Sequence, residues 1–328
     1  MKPKLSIIIP VYNAANNLER CLESVLNQTI REIEVVAVND GSTDDSLAIL
    51  NKYARIDSRL IVVSKENEGV VLARIAGLQI ASSEYIYHLD SDDYIESVLV
   101  EEVLFQIHEK EADILLFNFN FCVNGVKTLS RPYDKELYSN IEFLIYIWMG
   151  KGYNALWAFV HKKSLYANIH IYKEISFGED LYMTTQLAYY SNRIVFFNSK
   201  PLLNYIIHKE SISNSRLNDK KVKDILLYPT LIHEFMKDKS EYLELEEYIN
   251  GLKLISNNIL LSRCWFDGAK QRSEESILIL KRYPGLLAYK AIKNMRKLSL
   301  LFAKNYYFGL LFAQYYRLKG KISPYSKH

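Results

Sequence analysis

The sequence predicts an α/β protein in which a mostly parallel sheet, flanked by helices, is followed by a helical C-terminal appendage. Three observations carry that expectation. Apolar runs of strand length alternate with segments of helical period through the first 120 residues, the pattern of repeated β-α units. Polar residues gather directly after each of the first four apolar runs. Charge then separates along the chain: residues 276–328 hold eleven Lys and Arg and no acid, whereas the first 275 hold thirty basic against thirty-eight acidic side chains. The overall charge of +3 hides this division.

Residues 5–11 are nearly all apolar, as a strand covered on both faces should be. Residues 16–28 follow at helical spacing, with Leu18, Cys21, Leu22, Val25 and Leu26 on one face. A second strand is expected over 34–38. The helix over 44–53 is entered through Ser42, Thr43, Asp44 and Asp45, residue types that cap helices. Residues 60–63 predict a third strand, 70–81 a third helix and 85–89 a fourth strand. A helix running to about 109 and a strand over 114–117 complete the series. The length allows one α/β domain over 1–215, with halves at 1–120 and 121–215, and a helical region over 216–328.

In open α/β sheets ligands bind beyond the carboxyl ends of the strands. Tyr12 and Asn13 follow the first strand, Asn39 to Ser42 the second, Asn67 and Glu68 the third, and Asp90 to Asp93 the fourth. Asp90, Asp92 and Asp93 would repel one another unless something positive sat there. A divalent cation, which takes oxygen ligands and bridges to phosphates, is the usual answer. Taken alone, such a turn is more often a helix cap or a solvated loop.

Three segments change that balance. Ser6-Ile7-Ile8-Ile9-Pro10-Val11-Tyr12-Asn13, Val38-Asn39-Asp40-Gly41-Ser42-Thr43-Asp44-Asp45-Ser46 and Leu89-Asp90-Ser91-Asp92-Asp93 closely resemble the family 2 inverting glycosyltransferases with a GT-A fold. The resemblance covers at least residues 5–213. It implies transfer of a sugar from a nucleotide diphosphate donor, most often a UDP-sugar, with Mn²⁺ or Mg²⁺. By motif position Pro10, Tyr12 and Asp40 would hold the uracil, with Asp40 accepting from the base N–H and Tyr12 covering its face. Asn67 and Arg74 match the donor-binding stretch, Asp90 and Ser91 the ribose side of the acidic motif, and Asp92 the metal ligand. Two departures stand out. The family's Asn-Gly-Gly and Ala-Arg-Asn are here Asn67-Glu68-Gly69 and Ala73-Arg74-Ile75.

The chemistry asks for two further groups. The leaving diphosphate must be neutralised, and the acceptor hydroxyl needs a general base on the opposite face of the sugar. Glu179 and Asp180 follow a glycine and open a helix reaching to about 190. Acids in a first helical turn suit the helix dipole without any catalytic purpose. The resemblance nevertheless implies Asp180 as the base and Glu179 as an acceptor-side or orienting carboxylate beside it. It also implies His208 at the metal or diphosphate, in a segment where Ile206 replaces the family's common arginine and Lys209 could compensate. Trp157 and Tyr153 match the stretch before the acceptor-side strand, where aromatic rings stack on sugars or simply fill the core.

Cys21, Cys122 and Cys264 show no close spacing, so neither a disulfide framework nor a zinc site is expected. No leader is read ahead of the first strand, and no Walker or dinucleotide-binding glycine pattern competes for the nucleotide. Residues 298–318 are aromatic and aliphatic but broken by Lys304, Asn305, Gln314 and Arg317. That is too interrupted for a spanning helix and suits one lying at an anionic membrane surface. The alternatives are a helical cap on the catalytic domain or a contact in a homo-oligomer. No nucleic-acid partner is expected. The expected function is therefore an inverting glycosyltransferase of cell-surface polysaccharide synthesis, acting on a glycan or lipid-linked acceptor. It would be cytoplasmic and peripheral on the inner face of the cell membrane. The competing class is a catalytically idle sugar-nucleotide-binding or scaffold protein at the membrane.

Overall fold

The structure, a computed structural model, describes residues 2–207, 217–262, 268–289 and 292. His208, Lys209 and the aromatic run at 298–318 lie outside the described residues. The chain divides into two compact units, one from Met1–Phe143 with Asn154–Asn214, the other from Leu144–Tyr153 with Ser215–His328.

The first unit opens with β1 (Leu5–Val11), α1 (Ala15–Leu26), β2 (Ile33–Asp40), α2 (Ser46–Ile56), β3 (Leu60–Lys65), α3 (Val70–Ile80) and β4 (Tyr85–His88). It continues through β5 (Tyr94–Ile95), α4 (Leu99–Lys110), β6 (Ile114–Phe117), β7 (Phe119–Val123), β8 (Val126–Leu129) and β9 (Leu137–Tyr138). After α5 (Asn140–Trp148), counted with the second unit from Leu144 on, come β10 (Phe159–Lys162), α6 (Glu179–Tyr189), β11 (Ile194–Phe197) and β12 (Leu203–Ile206).

The large sheet runs β3-β2-β1-β4-β10-β6-β11-β9, and a smaller one runs β5-β12-β7-β8. β3, β2, β1 and β4 pair in parallel, as the β-α rhythm predicts. β10 then enters antiparallel between β4 and β6, which makes the sheet mixed. Every residue of β1 and β2 is buried, which accounts for their largely apolar runs.

The helices begin where local chemistry places them. α2 starts at Ser46 rather than Asp44, because Asp44 Oδ1 accepts the Ser46 N–H at 3.0 Å and makes an entry turn. Asp44 Oδ2 accepts the Ala15 N–H at 3.0 Å, so one carboxylate anchors the starts of two helices. α3 lies tightly on the sheet. A methyl group at Gly77 would run into Ile8 and stand 3.3 Å from Val38 Cγ2, so only glycine permits this approach. Arg74, one turn earlier on α3, is carried by that packing to the strand ends.

The second unit contains α7 (Asp219–Met236), α8 (Tyr242–Ser262) and α9 (Ala269–Arg282), followed by a tight turn at Pro284–Ala288. Asn218 caps α7 by accepting the Lys221 N–H at 2.8 Å. Ile225, Ile232, Leu245, Ile249 and Leu252 fill its core. Among the described residues no helix is long and apolar enough to cross a membrane.

Candidate active site

The site forms at the carboxyl ends of β1, β2, β3 and β4, where α3 and α6 also point charged groups. Near the end of β1 Pro10 is buried, and Tyr12, just after the strand, stands 52% exposed, leaving an aromatic ring facing outward. Asn13, at a left-handed φ of 48°, accepts the Thr43 N–H at 2.8 Å and thereby ties the first loop to the second. Asp40, the last residue of β2, is buried and accepts from Lys65 Nζ at 2.9 Å, the Glu68 N–H at 3.0 Å and the Gly69 N–H at 2.8 Å. Its carboxylate therefore shapes the loop that presents exposed Asn67. Gly41, at φ 70°, has room for no side chain, since a Cβ would stand 2.7 Å from Asn67 N.

After β4 the chain turns, with the Asp93 N–H donating to the Asp90 carbonyl at 3.1 Å. Asp90, Ser91 and Asp92 are partly exposed on this turn, while Asp93 is fully buried. Asp93 Oδ1 accepts the Ile206 N–H at 2.7 Å, joining the acidic turn to β12. Burial, then the neighbouring Asp92 and Asp90, hold the Asp93 carboxyl well above the usual carboxylate range. Arg20, which sequence reasoning passed over, donates to the Asp92 carbonyl at 2.7 Å and lies 4.8 Å over the Tyr94 ring.

Arg74 unites the two halves of the site. Its side chain is 3% exposed, and it donates to Asp180 Oδ1 at 2.7 Å and Asp90 Oδ1 at 3.0 Å, with Glu179 Oε1 3.9 Å away. Burial opposes its charge, but the three carboxylates outweigh burial and raise its pKa. Gly178, at φ 86°, caps α6 and delivers Glu179 and Asp180 in the first turn. Three carboxylates about one cation leave excess negative charge in a poorly solvated place. The Glu179 carboxyl is pushed up to about 8, first by burial and then by Asp180, with Arg74 only partly offsetting them. Burial also raises Asp180, while Arg74 and the Leu156 N–H pull it down. The pair differs by position: Asp180 lies directly on Arg74, which opposes its upward shift, and Glu179, further from the guanidinium, keeps a proton near neutral pH.

His88 and His161 lie buried beside this cluster, each with Nε2 on the Tyr166 hydroxyl, at 2.8 and 3.1 Å. Burial pushes the His161 pKa down to about 3, and burial, His161 and Arg74 push that of His88 well below its usual range. Trp157 is 7% exposed, stacked on Tyr205 at 4.5 Å between ring centroids and edge-on to Phe119 at 4.8 Å. Its flat face is taken by the protein. Tyr153 is half-buried and belongs to the second unit.

The described residues contain no group of three or more His, Cys, Asp or Glu arranged to hold a metal. A small divalent cation needs only one or two protein carboxylates when substrate phosphates supply the other oxygens. Partly exposed Asp92, with Asp90 beside it, fits that requirement. His208, the other expected ligand, lies outside the described residues.

Comparison with known proteins bears on the family and the fold. The sequence model of glycosyl transferase family 2 matches residues 6–169. The chain is 32% identical over 221 residues to glycosyltransferase GlyA of Streptococcus pneumoniae, covering 64% of this chain and 31% of that protein. Over 122 residues it is 41% identical to chondroitin synthase of Pasteurella multocida, which is 37% of this chain and 13% of the synthase. The chain thus spans less than a third of either relative. A crystal structure of S. aureus TarS 1-349 in complex with UDP-GlcNAc superposes with a TM-score of 0.71 at 20% identity, covering 97% of this chain and 92% of that one. The chain belongs to glycosyl transferase family 2, and its fold is that of the GT-A neighbour.

Proposed function

We propose that this protein transfers a sugar from a nucleotide diphosphate donor, with UDP-sugars the first choice, to a hydroxyl of a glycan or lipid-linked acceptor in cell-surface polysaccharide synthesis. The transfer inverts the anomeric centre. The observation that carries this reading is the single buried guanidinium of Arg74 bridging Asp90, at the acidic turn, and Asp180, at the head of α6. A donor-side group and a candidate base 90 residues apart in sequence are thereby held around one point. The relatives support the same direction, since a chondroitin synthase and a UDP-GlcNAc-bound protein are among them.

In this reading Tyr12 covers the face of the base over buried Pro10. Asp40 already accepts three N–H donors, and a carboxylate has about four lone-pair sites, so one is left for the uracil N–H. Asn67 and Arg74 approach the diphosphate, and Asp90 and Ser91 the ribose. Asp92 would hold Mn²⁺ or Mg²⁺, which when bound neutralises charge on the leaving diphosphate as a Lewis acid. Asp180 takes the proton of the acceptor hydroxyl. Its ion pair with Arg74 keeps it ionised until the diphosphate competes for the guanidinium, and the freed carboxylate is then a stronger base. Protonated Glu179 donates a hydrogen bond that orients the acceptor. The basic segment after Glu275 supports an anionic membrane as the place where the acceptor is met, which salt-sensitive pelleting with phosphatidylglycerol vesicles would test.

A donor screen tests the reading. UDP-, GDP- and dTDP-sugars are incubated with Mn²⁺ or Mg²⁺ and nucleotide release is followed. Metal-dependent release from one nucleotide class supports it, and release from none contradicts it.

A further inference from the structure

The second unit holds a cleft that the transfer chemistry does not use. It lies among α7, α8 and α9, with a volume of about 320 Å³, near the lower end of small-molecule sites and suited to about one sugar unit. Its floor comes from α8, where Tyr242, Glu246, Asn250 and Lys253 recur at helical spacing and fall on one face. All four are half-buried. A helix stripe turned toward neighbouring helices is ordinarily apolar, as the adjoining stripe of Leu245, Ile249 and Leu252 is. A polar stripe in that place costs free energy unless something satisfies it.

The protein satisfies it only in part. Tyr242 bonds His233 Nε2 at 3.1 Å. Glu246 has Arg282 at 3.5 Å, with the Arg282 side chain 69% exposed and lying 5.2 Å over the Tyr283 ring. Lys253 has no carboxylate partner among the described residues. The lining therefore offers two cations against one carboxylate, together with the oxygen of the Asn250 amide, whose nitrogen donates to the Glu246 carbonyl at 2.8 Å, and two tyrosines whose rings suit a sugar.

We propose that this cleft binds an anionic sugar unit of the acceptor glycan, a hexose carrying a carboxylate or a phosphate. Lys253 and Arg282 take the anion, Tyr242 and Tyr283 flank the ring, and Glu246 and Asn250 receive its hydroxyls. The acceptor assignment rests on the glycosyltransferase reading above, whereas the binding itself rests on the cleft alone.

Saturation-transfer NMR on the full chain tests it, with a glucuronate-containing disaccharide, glucose 6-phosphate, maltose and inorganic phosphate as probes. At least one anionic sugar should bind, more tightly than maltose, and the stronger of the two identifies the anion. Lys253→Ala and the exposed Arg282→Ala should each weaken it about tenfold, as expected when a charge-assisted contact is lost, and leave UDP binding unchanged. The proposal is overturned if the variants bind as the wild type does. It is equally overturned if no anionic sugar binds, or if inorganic phosphate binds as well as the sugars do. Failure of the wild type to bind UDP would count against the transferase reading alone.

Discussion

Replacing Arg74 with glutamine removes the one cation that three carboxylates share. The guanidinium lies 2.7 Å from Asp180, 3.0 Å from Asp90 and 3.9 Å from Glu179, and the side chains of these acids are 15–30% exposed. At an effective dielectric of about 20, unit charges ~4 Å apart interact by ~4 kcal/mol. Water at the exposed edges reduces the attraction, and removing one partner of a buried pair costs ~3–5 kcal/mol in all. That range is the expected loss of stability at about pH 8. The loss must shrink in acid. Without Arg74 the Glu179 and Asp180 carboxyls rise further above their unfolded values, so the folded variant binds more protons than the unfolded chain. Its deficit is then small near pH 5.5 and grows as pH climbs through the raised folded pKa values. Urea unfolding followed by circular dichroism at about pH 5.5 and 8 reads this directly. A deficit equal at both pH values, or one below ~1 kcal/mol at the higher, would refute the electrostatic account of the site.

Further outcomes follow from the same geometry. Asp92→Asn should weaken UDP binding in Mn²⁺ by ~2–5 kcal/mol by calorimetry, and equal UDP affinity with and without EDTA would remove Asp92 from the metal. Gly77→Ala should cost ~1–3 kcal/mol in thermal unfolding, because the new methyl meets Ile8, and no loss would mean α3 can shift. His161 is held neutral with a pKa near 3, below its unfolded value of about 6.5. The unfolded chain thus binds the extra proton, and this contribution to stability is lost as pH falls below about 6.5. The slope of stability against pH near 5 should fall by about one proton in His161→Gln, and an unchanged slope would mean His161 is charged in the fold.

Much of this architecture could be read in the chain because its first half obeys simple periods. β1 and β2 are largely apolar because both faces are covered, and polar turn residues follow each strand at the carboxyl end of the sheet. β8 was illegible, since all four of its residues are exposed and leave no alternation. β5 and β9 are two residues each, too short for any period. β10 reads as a strand only once β4 and β6 flank it, so its antiparallel place could not be foreseen. At the site, motif order named Asp90, Asp92 and Asp180, but the joining of Asp90 to Asp180 through Arg74 depends on residues up to 106 positions apart. One local signal did exist: the one charged residue, an arginine, in the mostly apolar Val70–Ile80 segment suggests a buried ion pair. Trp157 carried no such signal, because Tyr205 and Phe119, which enclose it, are distant in sequence.

The central claim is that Asp180, held by Arg74, is the base of an inverting transfer. The direct measurement is NMR of the new glycosidic bond, made beside turnover of Asp180→Asn with a donor the screen identifies. The account predicts inverted anomeric configuration, a fall in turnover of roughly 10²–10⁴ and undiminished UDP binding in the variant. A retained configuration, or turnover in Asp180→Asn close to that of the parent, would contradict it.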